Sequence, residues 1–458
     1  GSFRRDYAGR LPEGKKYGDF PSFTAAWKVS EEGFFPKTDA INLIKLRGSW
    51  GRIGNLSSIG AAYGDPTLGM ETTISFTGEP RQRVPLIAHM RWAFNPLLTW
   101  ETSEQTDFGI DLDFLKNRLS VSAEYFHKRT FNLIKTRDLG YPTYVGLEPM
   151  QVNEGEIRNT GLEFTFGWKD RISKDLSYFV NANFATLNNK VTDIGLNKET
   201  VWHTGASGGR VGAPFRTIEG GQFYSYWLVK TDGLFQTDAE AEAYVDKDGK
   251  RIQPYAKAGD LKFIDQLTVD TNGDGIPDAS DGKIDNADRI QMDAYFPKLT
   301  YALTAGLTFK NLTASIMLQG IGKANAFRGY KFIAYSESYG AFARDSRILN
   351  AWPVTSDIPR LNAQDQNGNF TTLSDWYLED ASYMRIKNIS LSYSLDDLIR
   401  RSAHFGDKKS SLSVSLSIDN LYTFTGYSGM DPEVSTNGVD IGKYPVPRII
   451  SLGLKLTY

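Results

Sequence analysis

The eleven residues 448–458, RIISLGLKLTY, decide the fold. Ile450, Leu452, Leu454, Leu456 and Tyr458 fall on one side of an extended chain, and Ser451, Gly453, Lys455 and Thr457 on the other. Strand side chains alternate with a period of two, so this segment reads as a strand with one apolar and one polar face. About ten residues, tilted, let a β-strand cross a bilayer. Taken alone, the segment also suits the edge of a soluble sandwich.

The same alternation recurs upstream. Phe108, Ile110, Leu112 and Phe114 alternate with Asp107, Gly109, Asp111 and Asp113. Leu119 to Tyr125, Leu162 to Trp168, Tyr178 to Phe184, Leu299 to Phe309, Leu312 to Leu318, Ile389 to Tyr393 and Leu412 to Ile418 follow the same rule. Weaker candidates lie at 20–27, 43–51 and 223–230. Template matching gives roughly a dozen to fourteen strands. Tight connections at Lys116-Asn117, Lys310-Asn311 and 169–175 alternate with long ones near 52–101, 129–156, 188–296, 320–383 and 422–447. A soluble sandwich has no reason to gather its long loops at one end. A transmembrane antiparallel β-barrel does, with short turns on one side of the membrane and long loops on the other. The expected class is therefore all-β, a membrane barrel. Leu303, Leu307, Ile316, Leu416 and Leu454 are expected to face lipid, and Thr304, Gly306, Ser415 and Lys455 the interior.

Composition agrees. The 458 residues include 27 Phe, 23 Tyr, 9 Trp and 43 Gly, a content that favours strands and membrane interfaces. No run of 18 apolar residues is present, which argues against helical spans and leaves a barrel open. The net charge of −2 gives no sign of a nucleic-acid partner. With no cysteine there is neither a disulfide framework nor a thiolate metal site.

One segment carries metal-like spacing. Asp270, Asn272, Asp274, Ile276, Asp278 and Asp281 occupy positions 1, 3, 5, 7, 9 and 12 of a calcium loop, with Gly275 at position 6 and Ile276 contributing its carbonyl. Asp281 stands where a bidentate Glu is usual, and Asp285 and Asp288 offer another end to the cluster. No helices flank the loop, so a structural calcium is expected rather than a sensor. The competing reading is a solvated acidic turn. Residues 205–209, GASGG, match a nucleophile-elbow pattern without its strand and helix, so no catalytic serine is assigned. His89, His127, His203 and His404 are scattered. The loop aromatics Trp202, Tyr224, Trp227, Tyr335, Tyr339 and Trp352 are candidate substrate contacts, because amphipathic rings stack on sugars and peptides. Loop packing and the interfacial girdle are their ordinary alternatives.

Several stretches together resemble the SusC/RagA-type TonB-dependent transporters of Bacteroidetes outer membranes. They are YGDFPSFTAAWKVSEEGFF at 17–35, LIKLRGSWGRIGN at 43–55, NPLLTWETSEQTDFGIDLDFLKNRLSVSAEYFHKRTFNLI at 95–134, NEGEIRNTGLEF at 153–164, YLEDASYMRIKNISLSY at 377–393 and YPVPRIISLGLKLTY at 444–458. The resemblance implies that residues 1–458 are the C-terminal part of one barrel of about 22 strands. A plug domain and the first strands would precede it. It further implies TonB-dependent import of an oligomeric nutrient, a glycan first and an oligopeptide second. A SusD-like surface lipoprotein would be a partner, and TonB would act through the N-terminal plug region. A non-transporting receptor or adhesin barrel, and an outer-membrane hydrolase, are the readings from other classes. The strand near 20–27 and the strand at 448–458 are each expected to pair with a strand outside this chain, since bare edges in lipid leave backbone groups unpaired.

Overall fold

The computed structural model describes residues 1–59, 95–137, 150–195, 212–337, 344–355, 357–396, 411–433 and 438–457, with the backbone of short strands at 68–69, 74–75, 83–84, 89–90 and 201–202. Thirteen strands make the main antiparallel sheet. They are β1 (Ser2–Tyr7), β2 (Tyr17–Lys28), β3 (Ile41–Asn55), β4 (Glu101–Phe114), β5 (Leu119–Phe131), β6 (Glu156–Arg171), β7 (Leu176–Thr186), β8 (Asn188–Asp193), β9 (Leu299–Phe309), β10 (Leu312–Gly322), β11 (Tyr383–Ser394), β12 (Ser411–Thr425) and β13 (Ile449–Thr457). The chain divides into two compact units. Gly1–Phe164, Asn188–Glu199 and Ile218–Gly221 form the first; Thr165–Leu187, Thr200–Thr217 and Gln222–Tyr458 form the second.

In the first unit the strands run in the order β1-β2-β3-β4-β5-β6, and β8 pairs with the start of β6. Register aligns Leu46, Ile110 and Ala123 across β3, β4 and β5, with Ile44, Leu112 and Val121 in the next row. The opposite face carries Lys45, Asp111 and Ser122, then Arg47, Gly109 and Glu124. Arg47 lies 2.5 Å from Glu124, and Lys45 lies 3.3 Å from Asp111. Gly109 leaves room for this: a Cβ there would press on the Arg47 guanidinium.

In the second unit the order is β6-β7-β9-β10-β11-β12-β13. Register strings Tyr178, Leu307, Ala314, Leu391, Leu416 and Leu452 into one row, and Val180, Ala305, Ile316, Ile389, Ile418 and Ile450 into another. The reverse face reads Phe179, Gly306, Ser315, Ser390, Ser417 and Ser451. Ser315 and Ser390 hydrogen-bond across it at 2.8 Å. Leu303, Leu307, Ile316, Leu416 and Leu454 all share the apolar face, and Thr304, Gly306, Ser415 and Lys455 the polar one. Leu452 is 82% exposed and Leu454 74%. Burying one such side chain is worth about 1.5–3 kcal/mol, so a face this apolar is suited to hydrocarbon rather than water.

Four expectations are corrected. The strand near 20–27 does not await an outside partner on its N-terminal side. It pairs along its first half with β1 of the same chain, through register that joins Arg5 to Asp19 at 2.6 and 2.8 Å. Among the described residues β1 pairs only with β2, and β13 only with β12. The connections begin later than expected, since β3 reaches Asn55, β5 reaches Phe131 and β12 reaches Thr425. Asn188–Asp193 is a strand rather than loop, and the candidate at 223–230 contributes Ser225–Val229 to a separate sheet. That sheet also holds Val201–Trp202, Phe215–Thr217 and Arg289–Ala294. Much of the second unit's long connections is packed. It buries a core of Phe215, Tyr226, Leu228, Phe327, Phe370 and Tyr377.

Candidate ligand-binding site

The first unit contains a cavity of about 640 Å3. Four separate segments, 95–97, 129–137, 150–156 and 193–195, build its wall, and the first three include residues from the stretches quoted above. Asn153 ties three of these segments together. Its Oδ1 accepts the Thr99 N–H at 2.7 Å, and its Nδ2 donates to the carbonyls of Thr99 and Asn132 at 2.8 and 3.0 Å. Asn95 donates to the Gln151 carbonyl at 2.8 Å, tying the start of that segment to the strand Met150–Asn153. Gly155 takes φ +100° and Gly195 φ +113°, a backbone region that L side chains rarely adopt. A Cβ on Gly195 would also strike Glu154 and Lys135.

Paired charges line this cavity. Arg129 Nε donates to Glu156 at 2.6 Å, Arg158 holds the other oxygen at 2.8 Å, and the Thr192 hydroxyl donates to it at 2.8 Å. Glu154 is gripped by Arg137 at 2.5 Å and Lys135 at 3.2 Å. The Arg129 guanidinium also lies 4.6 Å from the Phe131 ring centre. Amides, paired guanidinium–carboxylate groups and one ring make a wall that can hydrogen-bond a hydroxyl-rich or peptide ligand in many orientations. In the same unit, Phe20 packs edge-on against Trp100 at 5.5 Å, and Asn55 donates to Glu101 at 2.8 Å. Gly18 and Gly54 are small because a Cβ on either would run into Phe20 and Trp100.

The second unit holds two further polar clusters that residue patterns gave no hint of. Arg385 of β11 is buried and joined to Asp431 at 2.7 Å, Glu433 at 2.5 Å and the Thr423 hydroxyl at 2.7 Å. Lys331 lies on the short helix Tyr330–Tyr335. It meets Glu379 at 2.8 Å, and its ammonium sits 4.6 Å from the Trp376 ring centre. Burial depresses the Lys331 pKa despite that carboxylate. Burial would raise Glu379, yet Lys331 and Ser428 together bring it below its ordinary value.

The sequence-derived site residues fare unevenly. In the acidic loop, Asp270 accepts the Gly273 and Gly275 N–H groups at 2.7 Å each, Asn272 accepts Asp274 N–H at 2.9 Å, and Asp274 accepts Ile276 N–H at 2.7 Å. These three side chains thus accept a ladder of turn hydrogen bonds, with lone pairs to spare. Asp278 instead binds Thr271, and Asp281 sits 3.4 Å from Lys283. Among the described residues no three acidic or imidazole side chains converge on one point. Backbone hydrogen bonds, chiefly from Gly275, lower the Asp270 pKa. Tyr335 is 3% exposed inside the core, so its ring has no free face. Trp352 packs on Gly259, where a Cβ would overlap its indole, and supports the neighbouring core of Val229, Leu261 and Phe263. Both are packing residues. Tyr224 is half-buried against Phe215, and Trp227 lies under the Arg216 guanidinium at 4.5 Å. The side chains of Trp202 and Tyr339, residues 205–209, His89, His203 and His404 lie outside the described residues.

Comparisons with known proteins converge on one family. The family model described as TonB dependent receptor-like, beta-barrel, matches residues 1–421. TonB-dependent receptor P26 of Formosa agariphila is 26% identical over 474 residues, covering 99% of this chain and 44% of that protein. TonB-dependent receptor SusC of Bacteroides thetaiotaomicron is 25% identical over 472 residues, covering 100% of this chain and 42% of that protein. The chain thus spans less than half the length of these relatives. Among solved structures, the RagAB peptide transporter matches with a TM-score of 0.74 at 21% identity, covering 99% of this chain and 45% of that one. The RagAB peptide importer in its open-open state matches with a TM-score of 0.76 at 20% identity, covering 100% and 44%.

Proposed function

The chain belongs to the TonB-dependent receptor-like β-barrel family of the outer membrane, and from that premise we propose that it forms the C-terminal barrel portion of an importer of an oligomeric nutrient. The polar rows of β9 to β13 support this reading most strongly. A face of Ser315, Ser390, Ser417 and Ser451 behind the lipid-suited leucine rows is what a water-lined passage requires. Energy would reach it from TonB through an N-terminal plug region, and a SusD-like surface lipoprotein would cover the long loops. The relatives are receptors and transporters by name, and import rather than catalysis is the proposed role.

A glycan is the proposed cargo. The cavity at Asn153 favours it, because its amides and paired charges offer donors and acceptors in abundance beside a single ring. An oligopeptide is the alternative. Uptake of labelled oligosaccharides and of labelled oligopeptides by cells carrying the full-length protein separates the two. Glycan uptake that falls with Arg129→Met and Glu156→Gln supports the proposal. Peptide uptake alone replaces the cargo. Surface binding without uptake of either would replace import with a receptor role.

Calcium belongs to the same proposal. The Asp270–Asn272–Asp274 turn ladder leaves oxygens in the order a calcium loop uses. Asp278 and Asp281 would have to release Thr271 and Lys283 to complete the shell.

A further inference from the structure

In the second unit the excursion between Thr231 and Ala294, together with residues 366–372, lines a smaller cavity of about 280 Å3. Its lining carries three cations, Lys250, Arg251 and Lys283, and no carboxylate. The floor is rigid. Gln253 is buried with every hydrogen-bonding group satisfied, donating to the Leu261 carbonyl at 2.9 Å and Asn367 Oδ1 at 3.0 Å, and accepting the Phe263 N–H at 2.8 Å.

Arg251 differs from its surroundings. Its Nη2 donates to the Ala256 carbonyl at 2.6 Å, which fixes the guanidinium, yet its Nε–H is buried without an acceptor. Buried donors in native proteins are rarely left so. Among the described residues neither Arg251 nor Lys250 forms an ion pair. Three carboxylates lie close by, and one of them, Asp265, accepts the Gly282 N–H at 3.0 Å while its other oxygen is buried without a partner among the described residues. Asp281 faces Lys283 at 3.4 Å, and Asp246, held behind Gly282, accepts the N–H groups of Asp248 and Lys250 at 2.9 Å each. Tyr255 stands exposed on the rim.

We propose that this cavity is an anion-binding subsite, taking the carboxylate or sulfate of an acidic oligomer. Arg251 supplies a fixed positive charge to the oxyanion through Nη1, since Nη2 is held by Ala256 and Nε is buried. Lys250 and Lys283 add charge from the sides, and Tyr255 offers its ring to the residue that bears the anion. The subsite rests on the geometry of this excursion and holds whether or not the chain serves in import.

The test is calorimetric titration of the purified full-length protein with four probes: a glucuronate-containing disaccharide, the matched neutral disaccharide, an Asp-Asp dipeptide and sodium sulfate. At least one acidic probe should bind about tenfold or more tighter than the neutral sugar, as a charge-assisted hydrogen bond allows, and rising salt should weaken it. The preferred acidic probe then identifies whether the anion comes from a saccharide, a peptide or free solution. Arg251→Gln should remove that preference. Lys250→Met changes an exposed side chain that holds nothing in place, and should weaken acidic probes alone. Equal binding of neutral and acidic probes, no binding of any acidic probe, or undiminished acidic binding in both variants overturns the proposal.

Discussion

Arg385 and Asp431 meet at 2.7 Å where Arg385 is only 2% exposed, with Glu433 completing the grip. The pair clamps the segment after β12 onto the polar end of β11. Breaking a buried pair strands its partner's charge. Arg385→Ala should therefore cost about 3–5 kcal/mol locally. Limited proteolysis should show faster cleavage after Thr425, while Arg385→Lys, which cannot hold both carboxylates in a fork, should recover only part of the protection.

Membrane orientation gives the second expectation. Arginine at Leu303 should destabilise the folded protein by about 2–4 kcal/mol in lipid, and arginine at Thr304 much less. The two residues are neighbours in sequence on opposite faces of β9, so position along the strand is nearly constant. Refolding titrations into lipid vesicles measure the difference, and equal costs would count against the lipid-facing assignment.

The Phe20–Trp100 ring pair supplies a third. Gly54→Ala would drive a methyl into Phe20 and Trp100, neither of which is the loose end of a flexible chain. Overpacking of this kind costs about 1–3 kcal/mol. The melting temperature should fall, and ligand binding at Asn153 should weaken with it. A neutral outcome would mean that the rings move aside freely.

Acidity should act on the loops of the second unit. Burial raises the carboxyl pKa of Asp365 and of Asp375. Asp365 Oδ1 has no partner among the described residues, while Asp375 accepts the Thr231 N–H and hydroxyl at 3.0 and 2.6 Å. With folded-state values raised, the folded chain binds protons that the unfolded chain releases. The stabilisation is full below the unfolded pKa and is lost as pH rises through the folded one. Amide exchange near Thr231 and Phe370, corrected for intrinsic rates, should be slower at about pH 5 than at about pH 8. Asp365→Asn should flatten that dependence.

Calcium supplies the last expectation. If the turn ladder holds the ion, millimolar calcium should protect the excursion around Asp274 from protease, and Asp274→Ala should abolish the protection without altering the main sheet. Identical digestion with calcium and with chelator would remove the ion from the account.

How much of this was legible beforehand follows from the range of the forces involved. The alternation of Leu452, Leu454 and Leu456 with Ser451, Gly453 and Lys455 fixes a strand and its two faces within nine residues, because the backbone itself imposes the period. The motif stretches 43–55, 95–134 and 153–164 could be matched to a family, but not their purpose. Asn153 holds Thr99 and Asn132, residues far from it in sequence, and nothing local foretells those bonds. Strand β1 was missed for a related reason: Arg4, Arg5 and Asp6 blur its alternation, and Asp19 across the pair makes that charge acceptable.

Loop aromatics mark the same boundary. Tyr335 and Trp352 share the chemistry of a ring poised for ligand, yet one is enclosed in a core and the other lies on Gly259. The sequence alone determined most of the main-sheet strands, their two faces and their fit to a membrane, all set by local periodicity and side-chain polarity. Which polar groups meet in the cavities, and which rings stay free, was decided only by tertiary structure, because burial and hydrogen-bond partners depend on chain segments brought together from a distance.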